Sequence, residues 1–183
     1  MHADIIDQPA MRVAVVRHRG PYHRIGEAFS KLGEIAGPAG LFGPNAKMVG
    51  VYYDDPDTTP ETDLRSDAGI TVSESVKIPA GLTEVRIPAG RMARATHTGG
   101  YEGLTESWAR LTGEWLEQSG QRLGDGASYE IYLNTPMDTP KEKLRTELYI
   151  PLKTEAFADR ARPIAPEIDR GSSRESRLGD SRD

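Results

Sequence analysis

"HRGPYHRI" (His18–Ile25) and "HTGGYEGL" (His97–Leu104) are one small phrase written twice, about eighty residues apart. Each has His first, Gly two positions on, Tyr four on and an aliphatic residue seven on. A shift of 79 places Pro9-Ala10 on Pro88-Ala89, Arg12 on Arg91, Phe29 on Trp108 and Leu32 on Leu111. One further residue of shift aligns "YYDDPDTTPETDLRSDAGI" (Tyr52–Ile70) with "YLNTPMDTPKEKLRTELYI" (Tyr132–Ile150). Tyr52 then meets Tyr132, Pro56 meets Pro136, and Leu64-Arg65 meets Leu144-Arg145. Identities kept in order over most of residues 3–152 indicate two copies of one unit.

Each copy reads the same way. "RVAVVRH" (12–18) and "RMARATH" (91–97) are short strand segments ending at a Gly-containing turn. Ile25, Phe29, Leu32 and Ile35 then recur at helical spacing, as do Leu104, Trp108, Leu111 and Trp115, so each copy has a helix with one buried stripe. "KMVGVYYD" (47–54) and "SYEIYLN" (128–134) are aromatic and β-branched, hence strands. Thr59-Pro60 and Thr139-Pro140 predict helix starts, and Glu142 completes a capping box with Thr139. "AGITVS" (68–73) and "ELYIPL" (147–152) close the units as strands. One unit is too small to bury both faces of its elements. The expected fold is therefore α+β: duplicated strand–helix–strand–strand units, about 3–78 and about 82–152, in one pseudo-twofold-symmetric domain over residues 1–153. Residues 154–183 are rich in mixed charge and turn formers and are expected to be a flexible polar tail.

Whole-chain numbers exclude several classes. With 183 residues, a formal charge of -5 and a pI near 5.5, the chain lacks the basic character needed to grip nucleic acid or an anionic membrane. With no Cys, disulfides, thiolate zinc sites and cysteine nucleophiles are all absent. The N-terminus has no signal-peptide pattern, and no stretch approaches the roughly 18 apolar residues that span a bilayer. A cytoplasmic protein is expected.

Four segments together carry a family resemblance: "RHRGPY", "VYYDDPDTTPETDLRSDAGITV", "IPAGRMARATHTGGYEGLTESWARLTGEWLEQSG" and "YEIYLNTPMDTPKEKLRTELYIPL". They resemble the GyrI-like small-molecule-binding family. That family includes the gyrase-inhibitory protein of enteric bacteria and the effector-binding domains of many AraC- and MerR-type regulators. The resemblance implies a central ligand cleft between the two halves. It also implies hydrophobic, often cationic, drug-like ligands held around a buried glutamate and several aromatics. Some stand-alone members look like hydrolases that open the cyclopropane of DNA-alkylating natural products. Regulators of the family carry a helix-turn-helix segment, whereas here the domain begins at about residue 3, so direct DNA binding is not expected.

The repeat singles out one acid. Glu130 stands where the first copy has Gly50. On "SYEIYLN", Glu130 and Tyr132 share one strand face, while Tyr129, Ile131 and Leu133 share the other, expected to face the core. The residues alone leave Glu130 either exposed to solvent or lining a cleft; the resemblance favours the cleft. There it would act as counter-charge to a cation or as a base with a raised pKa. Tyr52, Tyr22 and Tyr101 are the further candidate ligand-binding residues, with Trp115 as a ligand wall and Trp108 read as core. His18 and His97 read as structural residues at strand ends. The acidic run 54–67 lacks the glycine and spacing of an EF-hand and reads as a solvated loop.

The expected function is binding of a hydrophobic small molecule, cations included, for sequestration or sensing. The alternatives are a hydrolase in which Glu130 activates water and Tyr132 supports the leaving oxygen, or inhibition of DNA gyrase as a protein partner. No metal or cofactor is expected.

Overall fold

A computed structural model describes residues 1–154; all but the first residue of the expected tail lies outside the described residues. The strands are β1 (Asp4–Gln8), β2 (Met11–Arg19), β3 (Met48–Tyr52), β4 (Arg65–Thr71), β5 (Thr83–Ile87), β6 (Gly90–Thr98), β7 (Ser128–Tyr132) and β8 (Arg145–Pro151). They form one sheet in the order β1-β6-β8-β7-β3-β4-β2-β5, and every pairing is antiparallel. The expected strand–helix–strand–strand order gains a strand ahead of β2 and another ahead of β6. β1 pairs with β6 and β5 with β2, so each leading strand joins the other half's part of the sheet.

Both faces of β2 are apolar because both are covered. On β2, Val13 and Val15 point to one side and Ala14 and Val16 to the other, all buried. Val13 and Val15 join Val49, Val51, Tyr129, Ile131 and Tyr149 in a cluster built of strand residues, with Ile87 from the edge strand β5 and Met92 from β6, next to the other edge. The sheet therefore curls until its outer strands close over its own face, as a half-barrel. The opposite face carries two helical segments. α1 (Gly26–Ala36) packs Ala28, Leu32 and Ala36 onto Ala14, Ala68 and Ile70. Leu32 is fully buried, an arrangement worth about 1.5–3 kcal/mol.

The second helical segment is not regular. α2 (Leu104–Ala109) runs into a π-helical stretch, Arg110–Trp115, and then into α3 (Leu116–Ser119), ended by Gly120 at φ 67. Leu111 anchors it on Ala93, Ala95, Leu148 and Ile150 of β6 and β8.

The helices expected after Thr59-Pro60 and Thr139-Pro140 are only three-residue 3₁₀ turns, Glu61–Asp63 and Lys141–Lys143. The prolines occupy the cap positions, no side chain caps either turn, and Thr139 Oγ1 donates to Asp138 Oδ1 at 3.0 Å instead of forming the capping box. The reason is space. Buried Leu64 and Leu144 return the chain to extended geometry one residue before β4 and β8 begin.

Candidate functional site

The two helical segments cover β2/β4 and β6/β8, leaving β3 and β7 between them. These central strands pair with Gly50 opposite Glu130. Alternation puts Val49, Val51, Tyr129 and Ile131 into the strand-built core, and so turns Glu130, Tyr52 and Tyr132 toward the helices. Leu133, expected in the core, is 42% exposed because β7 ends at Tyr132 and Leu133 is at the rim.

Glu130 is 2% exposed. Three donors meet its carboxylate. Tyr52 donates its hydroxyl to Oε2 at 3.0 Å, Tyr132 donates to the same oxygen, and Trp108 Nε1–H donates to Oε1 at 2.6 Å. Burial pushes the carboxyl pKa up, and the bonds from Tyr132, Trp108 and Tyr52 offset part of that rise. The same burial lifts both phenols well above their usual range, so they stay protonated and keep donating. Gly50 makes this gathering possible. A Cβ there would lie 3.0 Å from the Tyr52 hydroxyl and 3.2 Å from that of Tyr132.

An aromatic shell surrounds the group. Tyr22 meets Tyr52 edge-on at 4.9 Å, Tyr101 meets Tyr132 at 5.5 Å, Phe29 meets Tyr132 at 5.4 Å and Trp108 meets Tyr52 at 6.1 Å. Tyr22 is fixed, donating to the Asp54 carbonyl at 2.8 Å and accepting the Asp54 N–H at 3.0 Å. Tyr101 is 39% exposed, and burial together with the Glu130 charge pushes its phenol up. Rings and an enclosed carboxylate are what a soft cation or an apolar aromatic ligand would meet here.

Five of the six sequence candidates thus come together: Glu130, Tyr132, Tyr52, Tyr22 and Tyr101. Trp115 does not join them. It packs against the cluster of Ala93, Leu111, Leu148 and Ile150. Trp108, read as core, packs on the same cluster and is in addition the carboxylate's third donor, and Phe29, read as a stripe residue, walls Tyr132. The i→i+5 bonding of the π-helical stretch after Trp108 breaks the seven-residue repeat that would stack Trp115 over it. The usable signal was chemical: within the two stripes only tryptophan offers an N–H to a buried acid.

His18 Nε2 bonds the Pro21 carbonyl at 3.2 Å, and His97 bonds Gly100 O and Ser107 Oγ. Each holds the turn after its strand. In the acidic run, Asp54 accepts the Arg65 backbone N–H at 2.7 Å and its guanidinium at 2.8 Å. Among the described residues no group of three or more His, Asp and Glu has the arrangement to hold a metal ion.

Residues 1–153 match the GyrI-like small molecule binding domain. The chain belongs to the GyrI-like family. A DNA gyrase inhibitor of Yersinia enterocolitica is 30% identical over 135 residues, covering 71% of this chain and 85% of that protein. Among solved structures, the EcmrR C-terminal domain superposes with a TM-score of 0.68 at 19% identity, covering 83% of this chain and 97% of that one. SAV2435, solved bound to tetraphenylphosphonium, has a TM-score of 0.62 at 15% identity, covering 84% and 94%. This GyrI-like chain therefore carries a small-molecule-binding domain. Among its described residues no helix is long and apolar enough to cross a membrane.

Proposed function

We propose that the protein is a duplicated domain that binds hydrophobic small molecules, cations among them, between its two halves, with Glu130 as counter-charge. The observation that carries this reading is the carboxylate itself: nearly inaccessible, fully hydrogen-bonded and walled by rings from both halves. The duplication is supported by the strand order, which reads the same from either end when the halves are exchanged. It is also supported by the shell. Tyr22–Tyr52 has its counterpart in Tyr101–Tyr132, and Phe29–Tyr132 in Trp108–Tyr52.

Electrostatics sets the preference. A buried anion attracts a cation strongly if the cation sheds its water easily, which favours diffuse organic charge over compact ammonium. Since the carboxylate is covered, a ligand reaches it by parting the rings or through their faces. Thermal shift tests the reading, with tetraphenylphosphonium as hydrophobic cation and ATP and glucose as polar controls. Stabilisation by the phosphonium is expected, about 2.7 kcal/mol at a hundredfold excess over Kd. Stabilisation by ATP or glucose alone overturns it.

A hydrolytic reading of the same site rests on one observation. Glu130, its pKa raised by burial, accepts the Tyr132 hydroxyl at Oε2. A base and a hydroxyl donor this close are what water activation with leaving-group support requires.

A further inference from the structure

The two halves differ at three places that converge on one line of contacts. Glu130 replaces Gly50, and its donor Trp108 stands 79 residues after Phe29, which has no N–H. Next to Trp108, Ser107 stands 79 residues after Ala28. Ser107 Oγ in turn meets His97 Nδ1 at 2.8 Å. His97 also meets the Gly100 carbonyl through Nε2 at 3.0 Å. A carbonyl only accepts, so Nε2 carries a proton, and Nδ1 shares the second hydrogen bond with the serine hydroxyl. His18 makes the bond to its turn, but its half has an alanine where the serine would be.

His97 is 9% exposed. Its ring joins the end of β6, the turn that bears Tyr101 and the first turn of α2, just before Trp108. Gly103 closes the fit: a Cβ there would fall 2.8 Å from the ring's Cε1.

We propose that His97 is a positioning residue for the ligand site, acting through Ser107 to aim the Trp108 N–H at Glu130. The proposal rests on reading the Glu130 site as the ligand site. A merely structural histidine would need only the bond to its turn, which His18 already supplies in the other half. The additional bond occurs in the half that carries the acid and its indole donor, and it falls on the residue adjoining that donor.

The test uses a Trp115→Phe background, so that fluorescence reports Trp108. Ser107→Ala removes one hydroxyl and leaves the rest of the lock in place. His97→Leu removes both bonds, and His97→Asn keeps an acceptor near the Nδ1 position. In the ligand-free protein, Ser107→Ala and His97→Leu should increase acrylamide quenching of Trp108, and His97→Asn should restore much of the protection. Affinity for tetraphenylphosphonium should fall roughly tenfold in the first two variants, the scale of one weakened hydrogen bond to a charged acceptor, and recover in the third. Gly103→Ala, which presses on the ring from the other side, should move both readouts the same way. A folded Ser107→Ala protein with unchanged quenching and affinity overturns the proposal, and so does a His97→Asn variant no better than His97→Leu. Should the phosphonium fail to bind the parent protein, the ligand-free quenching still judges the lock, and the failure belongs to the ligand reading alone.

Discussion

Gly50 and Glu130 face each other across the β3–β7 pair, and the missing side chain of one makes room for the hydrogen bonds of the other. The acid alone would not build the site. Both tyrosine hydroxyls must enter the space above Gly50 to reach it.

Gly50→Ala should therefore act on the site more than on the fold. The added methyl would lie 3.0 Å from one hydroxyl and 3.2 Å from the other, so both rings must shift by a few tenths of an ångström. A stability loss of about 1–2 kcal/mol is expected from overpacking, measured by urea denaturation. Affinity for tetraphenylphosphonium should fall by a larger factor than that loss alone would suggest for a remote site. A variant of wild-type affinity would show that the hydroxyls need not converge.

The two tryptophans should separate cleanly. Trp108→Phe keeps an aromatic ring, though a smaller one, and takes a donor from a buried carboxylate, a loss of about 1–3 kcal/mol with weakened binding. Trp115→Phe shrinks a side chain packed on an aliphatic cluster and should cost stability alone. Isothermal titration beside denaturation reads both; equal effects on binding would dissolve the distinction.

How legible was this in the sequence? Period and chemistry reach different depths. The offset of 79 residues, 80 from the third strand onward, marks strands, helices and the contrast of Gly50 with Glu130, because these depend on residue type at fixed spacing. Trp108 is not legible that way. It shares its stripe with Leu104 and Leu111, and only the π-helical stretch, a departure from regular periodicity, separates its role from that of Trp115. The exchange of β1 and β5 between halves is likewise a long-range pairing that no local pattern encodes. Thr139 and Glu142 have the spacing of a capping box, but the following strand leaves room for three turn residues and no helix.

Acid should stabilise the protein relative to a Glu130→Gln variant. Burial raises the folded-state pKa of Glu130, so the folded chain holds this proton to higher pH than the unfolded chain does. The contribution is full below the unfolded value, about pH 4, and is lost as pH rises through the folded value. Urea denaturation of both proteins between pH 4 and 7.5 should show the wild type losing ground to Glu130→Gln as pH rises. A difference independent of pH would mean that the carboxyl is not shifted upward.

Tyr22 and Tyr101 should not be equivalent, although they occupy matching positions. Tyr22→Phe removes a hydroxyl that both accepts from and donates to the Asp54 backbone, at a cost of about 1–2 kcal/mol. Tyr101→Phe removes a hydroxyl from a ring that is 39% exposed and should leave the melting temperature within a degree or so. Truncating the whole ring, Tyr101→Ala, should weaken phosphonium binding by taking away a wall of Tyr132. Melting curves and titrations decide it, and an unstable Tyr101→Phe protein would contradict the assignment of Tyr22 as the fixed wall.

Glu130→Gln separates binding from hydrolysis. The amide keeps the size and an acceptor for some of the three donors, but it removes the charge and the basicity. For a binder of cations, affinity for tetraphenylphosphonium should fall by roughly 1–3 kcal/mol, since the buried counter-charge is gone. A neutral aromatic probe such as naphthalene should bind as well as before. For a hydrolase, a neutral substrate should still bind while turnover falls about a hundredfold or more, the usual loss on removing a general base. Folding should survive in both cases, because neutralising a buried charge while keeping its shape is often neutral or stabilising. A variant that unfolds would assign Glu130 to the architecture. One that binds the phosphonium and the neutral probe as the wild type does would mean that the three donors hold the carboxylate for their own packing and that the ligand's charge is answered elsewhere.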